Sequence, residues 1–135
     1  MKAMGMSIDK TLFKDVRAAG LTPLFMGSFR QGVTDSDEAL GSPIIIGLTP
    51  EQAAEYRLSG KLVGRMFGYD GVADVDGHAD RQKINFIKRR DDAVIRYEGA
   101  GSSRMYNGRW VITSPVDGTL DREGRFSLAD IMTED

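Results

Sequence analysis

Residues 82–99, QKINFIKRRDDAVIRYEG, contain two strand-length runs on either side of the pair Asp91-Asp92. Each run is rich in β-branched and aromatic residues, which favour extended backbone. A two-residue connection between consecutive strands is typical of a hairpin. The stretch therefore predicts two neighbouring antiparallel strands.

The same pattern continues on both sides of this hairpin. Further strand-length segments occupy residues 61–69, 104–114 and 124–132, and short connections rich in glycine, serine, aspartate and proline follow the later strands. Short turns between consecutive strands leave room only for antiparallel neighbours. The C-terminal half therefore predicts an antiparallel meander.

The N-terminal half carries two helix signals. Ser7 is a suitable N-cap for a run with apolar residues on one face. Thr49 is a second N-cap, and Gln52 stands three residues later, where it can complete a capping box. The predicted helices cover residues 7–19 and 50–59.

The predicted fold class is α+β with β-structure dominant. Strands are also expected at 23–32 and 43–46, so the meander sheet would curve into a partial or closed barrel accompanied by the two helices. No linker interrupts the chain, which predicts a single domain over 1–135. Residues 1–6, with three methionines, are interpreted either as a mobile arm or as an arm that packs on a second subunit.

Four short motifs in succession resemble calycin-like barrels, the group of lipocalin-, fatty-acid-binding- and avidin-like folds. The motifs are Phe86–Lys88, Tyr97–Gly99, Gly108–Trp110 and Gly124–Phe126. The resemblance covers about residues 61–132. It implies a cavity for a small, mostly apolar ligand, and it transfers no catalytic residue.

Composition excludes several function classes. The chain has 135 residues, 41% of them hydrophobic, a net charge of −2, one histidine and no cysteine. The mixed charge argues against a nucleic-acid-binding protein, and the lack of cysteine removes disulfides and thiolate metal sites. We expect a cytoplasmic protein without a signal peptide or membrane segment, without a metal and without a cofactor.

The candidate ligand-binding residues are Lys88, Arg96, Tyr97 and Trp110. Strand alternation places Lys88 on the face of Phe86 and Arg96 on the opposite face from Tyr97. Either cation would bind an anionic group if its face were concave, whereas on a convex face it would be an ordinary surface residue. The register that decides between the two stays open, and no catalytic residue is assigned.

The stretch YDGVADVDGHAD, residues 69–80, holds four aspartates and the single histidine, His78. With Gly77 at the sixth position of a calcium loop, the first and twelfth positions are Val72 and Lys83, so an EF-hand is excluded. The stretch is interpreted as an acidic loop between two strands. His78 would act in catalysis only with a partner from elsewhere in the fold.

Three function classes follow, and the first is favoured. The protein is expected to bind a small anionic or aromatic molecule, or to be an interaction module that forms a homodimer without a ligand. The third class is an acid/base enzyme that uses Asp or Glu with Tyr, Arg or His78. Such an enzyme requires a cleft where at least two of these groups converge with shifted pKa values.

Overall fold

Eight antiparallel strands form a closed barrel in the computed structural model, which describes residues 11–31, 41–68, 71–90, 93–102, 104–113 and 120–131. Each strand pairs with the next one along the chain, and the last strand pairs with the first. The predicted antiparallel, β-dominant fold is confirmed, and the barrel is closed rather than partial. The strands are β1 Thr22–Gln31, β2 Ser42–Leu48, β3 Lys61–Gly68, β4 Gly71–Ala79, β5 Lys83–Arg90, β6 Ala93–Ser102, β7 Met105–Thr113 and β8 Leu120–Asp130.

Two helices accompany the barrel. Helix α1 covers 11–18 within the described residues, inside the predicted range of 7–19, while the arm at 1–6 lies outside the described residues. Helix α2 is Pro50–Ser59, as predicted. The Thr49 hydroxyl accepts from the Gln52 backbone N–H at 3.1 Å, and the Gln52 side chain accepts from the Thr49 N–H at 2.9 Å. This capping box fixes the start of α2, and Gly60 ends the helix in the left-handed conformation.

Strand β4 corrects the interpretation of residues 69–80 as a loop. Residues 71–79 are strand, and their alternation is regular although several residues are small or acidic. Val75 and Ala79 are buried on the inner face, whereas Asp74, Asp76 and His78 are exposed on the outer face. Glycine and aspartate are rare in strands, and this composition concealed the period of two.

Two layers of apolar packing hold the barrel together. Helix α1 lies on the outer wall, where Val16 and Leu12 pack against Ile45 and Phe67. Helix α2 contributes Ala53 and the half-buried Tyr56 to the interior cluster. The buried interior residues are Leu24, Phe25, Ile44, Ile46, Leu48, Ala53, Leu62, Met66, Val75, Ala79, Ile84, Phe86, Ile95, Tyr97, Tyr106, Trp110, Phe126 and Leu128.

Glycines allow neighbouring strands to approach closely at several points of the wall. A Cβ atom added at Gly124 would lie 2.1 Å from the Arg30 carbonyl oxygen and 2.5 Å from the Trp110 ring. Comparable contacts of 1.8–2.1 Å with backbone oxygens would arise at Gly27, Gly77 and Gly108. Only glycine fits these four positions without moving backbone.

We expect Gly124→Ala to lower the free energy of unfolding by about 3 kcal/mol, because neither the Arg30 carbonyl nor the buried indole can move away freely. Urea unfolding followed by circular dichroism measures the change. Ala100→Val, which enlarges an exposed residue of β6, is the matched control and should change stability by less than about 0.5 kcal/mol. Equal effects of the two substitutions would contradict the close approach of β8 to its neighbours.

Candidate functional site

The structure separates the four candidate ligand-binding residues. Lys88, Tyr97 and Trp110 are buried on the inner side of the wall, with exposed fractions of 3%, 2% and 5%. Arg96 is exposed on the outer side, where it lines a hollow of about 250 Å³ with Asp76 and other residues. Three of the four therefore share the barrel interior, and the fourth is on the convex face.

Side chains fill the interior around Tyr97. The ring of Tyr97 stacks on Phe86 with centroids 4.6 Å apart, and Phe126 meets it edge-on at 5.2 Å. The Tyr97 hydroxyl lies 3.8 Å from the Met66 sulfur. An eight-stranded barrel is wide enough either for its own side chains or for one small ligand, and at this level side chains occupy it. Tyr97 is therefore a packing residue.

Trp110 joins the interior to the outer wall. Its ring meets Phe29 edge-on at 6.0 Å, and its indole N–H donates to the Arg30 carbonyl at 3.0 Å. The ring also lies directly beneath Gly124. Trp110 thus supports the segment of wall that carries Arg30.

Lys88 is the single buried charged residue among those that the structure describes. It stands opposite Val75 on β4 and Ile95 on β6, and it shares the inner face of β5 with Phe86. Lys88 also interacts within the protein. A buried cation requires such compensation, so Lys88 has a structural role whether or not it meets a ligand.

The outer wall over β7, β8 and β1 carries a row of arginines that sequence analysis did not single out. Arg125 on β8 stands opposite Arg30 on β1 and opposite Arg109 on β7. Since adjacent strands are about 4.8 Å apart, the three backbones span about 10 Å. We call Arg30, Arg109 and Arg125 the arginine face.

A hollow of about 820 Å³ lies at the arginine face. Ser28, Ser127 and Asn107 form a second row in register beside the arginines, and the Ser127 hydroxyl donates to the Asn107 side-chain oxygen. Glu123 is the single acidic residue among the described residues that line the hollow, and it is paired with Arg109. Among the described residues of the lining, three guanidinium groups stand beside one carboxylate, and Arg30 and Arg125 also interact within the protein.

A second hollow, of about 730 Å³, lies at the end of the barrel that α2 covers. Its inner part contains Tyr56, Tyr106 and Asp130, and its outer part contains exposed side chains. We call this hollow the cap cleft. The residues that line it are Tyr56, Arg57, Ser59, Gly60, His78, Ala79, Asp80, Arg81, Arg104, Tyr106 and Asp130.

The two tyrosines of the cap cleft form a hydrogen-bonded chain. Tyr56 bonds to Tyr106, and the Tyr106 hydroxyl donates to the Asp80 backbone carbonyl. Phe25 meets both rings edge-on, at 5.9 Å and 5.8 Å, and so fixes their orientation. Burial, together with the negative charge of Asp130, raises the pKa of Tyr56 and of Tyr106 above the ordinary value of 10.0. Both side chains therefore remain neutral phenols over the physiological range.

His78 and Asp80 hold the edge of the cap cleft. The His78 Nε2 atom lies 3.1 Å from the Ser59 carbonyl oxygen at the end of α2. The Asp80 carboxylate accepts the backbone N–H groups of Gln82 and Lys83 at 2.8 and 3.0 Å, and these bonds lower its pKa. The contact of His78 with the Ser59 carbonyl joins β4 to α2, and a catalytic role of His78 stays a prediction.

Arg104 at the cap cleft has an unusual backbone. Its φ angle is +70°, which makes it the single non-glycine residue with positive φ in the described part of the chain. A left-handed conformation costs an L-residue about 1–2 kcal/mol, and glycine would avoid that cost. The presence of arginine at this turn between β6 and β7 suggests that its side chain has a function.

Neither a metal site nor a spanning helix emerges from the described residues. No group of three or more His, Asp or Glu side chains there could hold a metal ion, although Asp74, Asp76 and His78 follow one another along β4. Within the same ranges no helix is long and apolar enough to cross a membrane.

No protein-family model matches this chain, and no curated protein or solved structure matches it significantly. The resemblance to calycin-like barrels therefore stays a prediction. Function has to be inferred from the chemistry of the arginine face and of the cap cleft.

The raised pKa of Tyr56 predicts a pH-dependent contribution to stability. As pH rises past about 10, the unfolded chain loses the phenol proton before the native state does. The contribution of this phenol to the free energy of unfolding is therefore fully present below pH 10 and decreases above it. We expect the free energy of unfolding of Tyr56→Phe to fall less steeply than that of the wild type between about pH 9.5 and 11.

Urea titrations at several pH values measure this slope. Thr49→Ala, which removes the cap of the same helix but no titrating group, should lower stability by about 1 kcal/mol at every pH. Parallel curves for the wild type and Tyr56→Phe would contradict the burial of this phenol.

Proposed function

We propose that this protein binds a small organic anion, a carboxylate or a phosphate ester, at the arginine face. The observation that supports the proposal is the row formed by Arg30, Arg125 and Arg109 on three adjacent strands, at a hollow of about 820 Å³. Ligand sites are commonly concavities of about 300–1,000 Å³ with a few convergent polar groups.

Electrostatics favours an anion at this position. Like charges directly opposite each other in a sheet are destabilising, and Arg125 faces an arginine on both sides. Arg30 and Arg125 already interact within the protein, and a bound anion would add to the groups that offset this repulsion. Guanidinium groups also match the geometry of carboxylate and phosphate, since each can donate two parallel hydrogen bonds.

The second row of the hollow suits the remainder of such a ligand. Ser28, Ser127 and Asn107 offer hydroxyl and amide groups beside the cations. These groups can donate and accept, so they would bind the oxygens of a small polar molecule. The ligand would then lie on the outer wall, outside the packed interior that holds Tyr97.

The proposed ligand is an anion, as expected from the sequence, but the proposed site consists of residues other than the four candidates. Of the four candidates, Trp110 is the closest to the proposed site, because its indole bonds to the Arg30 carbonyl. Lys88 and Tyr97 remain inside the barrel, and Arg96 is on another part of the wall. The cytoplasmic location and the homodimer stay predictions from sequence.

Citrate and inorganic phosphate are suitable probe anions. We expect Arg125→Gln to weaken the binding of a probe by about 10- to 100-fold, because a hydrogen bond to a charged group contributes about 1.5–3 kcal/mol. Isothermal titration calorimetry measures the affinity. Trp110, the chain's single tryptophan, provides a fluorescence signal from behind the site.

Arg96→Gln is the matched control, because Arg96 is likewise an exposed strand arginine on the outer wall. It should leave the affinity unchanged. If Arg96→Gln and Arg125→Gln weaken binding equally, the binding reflects a general attraction of anions to the protein, and the proposed site is overturned. The proposed site is also overturned if neither citrate nor phosphate binds.

A further inference from the structure

We propose that the cap cleft is a second ligand site, which binds a small zwitterion such as an amino acid, with its amine towards Asp130 and the tyrosines and its acid group towards Arg104. The site is distinct from the arginine face. It is inferred from the way that opposite charges are distributed between the inner and outer parts of the cleft.

The inner part of the cleft attracts a cation. Tyr106 is buried and Tyr56 and Asp130 are half-buried, so these groups are partly removed from water. The carboxylate charge of Asp130 acts on both phenols, and that of Asp80 reaches them as well. A ligand ammonium could donate hydrogen bonds to the phenol oxygens in this negative field.

The outer part of the cleft attracts an anion. Arg57, Arg81 and Arg104 line it together with Asp80, and all four side chains are exposed, so that three cations stand beside one carboxylate. The Arg104 carbonyl accepts the Asp130 backbone N–H at 2.9 Å, so the two residues adjoin. Both residues also interact within the protein, and a ligand would therefore extend an existing network of charges.

The conformation of Arg104 supports the assignment independently. Its left-handed backbone favours glycine, yet the residue carries a long cationic side chain at the cleft. Elsewhere in the lining, Phe25 contacts both tyrosine rings, and the contact from His78 to Ser59 holds the end of α2. A preorganised cleft loses little conformational entropy when a small ligand binds.

Thermal-shift measurements with each of the twenty standard amino acids, followed by titration calorimetry, test the proposal. At least one amino acid should raise the melting temperature. Measured on the Arg125→Gln variant, in which the arginine face binds carboxylates weakly, its decarboxylated amine and its deaminated acid should each bind at least tenfold more weakly than the amino acid, because each lacks one of the two charges.

Arg104→Gly should lower the affinity for the amino acid at least tenfold and leave the affinity for the amine unchanged. Arg104→Gln removes the charge but keeps a long side chain, and it should give the same pattern. It replaces the glycine variant in the test if that variant loses its cooperative melting transition. Arg125→Gln should leave amino-acid binding unchanged, which distinguishes this site from the arginine face.

Three results would overturn the proposal. One is that no amino acid binds, and another is that the deaminated acid binds as tightly as its parent, which would make the cleft a simple anion site. The third is that both Arg104 variants, correctly folded, retain the wild-type affinity for the amino acid.

Discussion

The pairing of β1 with β8 is the constraint on which the rest of the molecule depends. It joins Phe25 to Asp130 at one end and Gln31 to Gly124 at the other, across about a hundred residues of chain. The same pairing removes the two free sheet edges that an open meander would expose. Arg30 meets Arg125 only because the barrel closes, and Asp130 reaches the cap cleft for the same reason.

Closure also determines where the hollows of the surface lie. Around Tyr97 the aromatic side chains of Phe86 and Phe126 occupy the width of the barrel. The close contacts at glycines such as Gly27 and Gly124 show how tightly the strands curve around this core. The arginine face lies on the outer wall and the cap cleft lies at the end covered by α2.

Sequence reasoning succeeded where the signals are local. Thr49 and Gln52 determine the start of α2 and Gly60 determines its end, and each of them acts only on the adjoining turn of the helix. The hairpin of β5 and β6 follows from its short connection. Strand β4 was missed because its apolar positions are occupied largely by small residues, so that Asp74 and Asp76 dominated the pattern.

The arginine face and the cap cleft could not be predicted in the same way, because they depend on register between strands that are distant in sequence. Arg30 and Arg125 are separated by more than ninety residues, and nothing near either residue indicates that they are neighbours. Register also decided between Lys88 and Arg96, which sequence alone left equivalent: Lys88 faces the interior and Arg96 faces outward. From the sequence alone an anionic or aromatic ligand could only be expected, and that ligand class stays a prediction.

The arginine face and the cap cleft share two strands and yet should act independently. Arg125 and Asp130 are five residues apart on β8, which corresponds to about 17 Å of extended chain. Sites at this separation usually contribute additively unless an element with two arrangements links them. The wall between the two sites is a paired sheet that packs on the core residues Phe126 and Leu128. A sheet packed in this way has a single conformation. If both proposed sites bind their ligands, occupancy of one should therefore leave the affinity of the other unchanged.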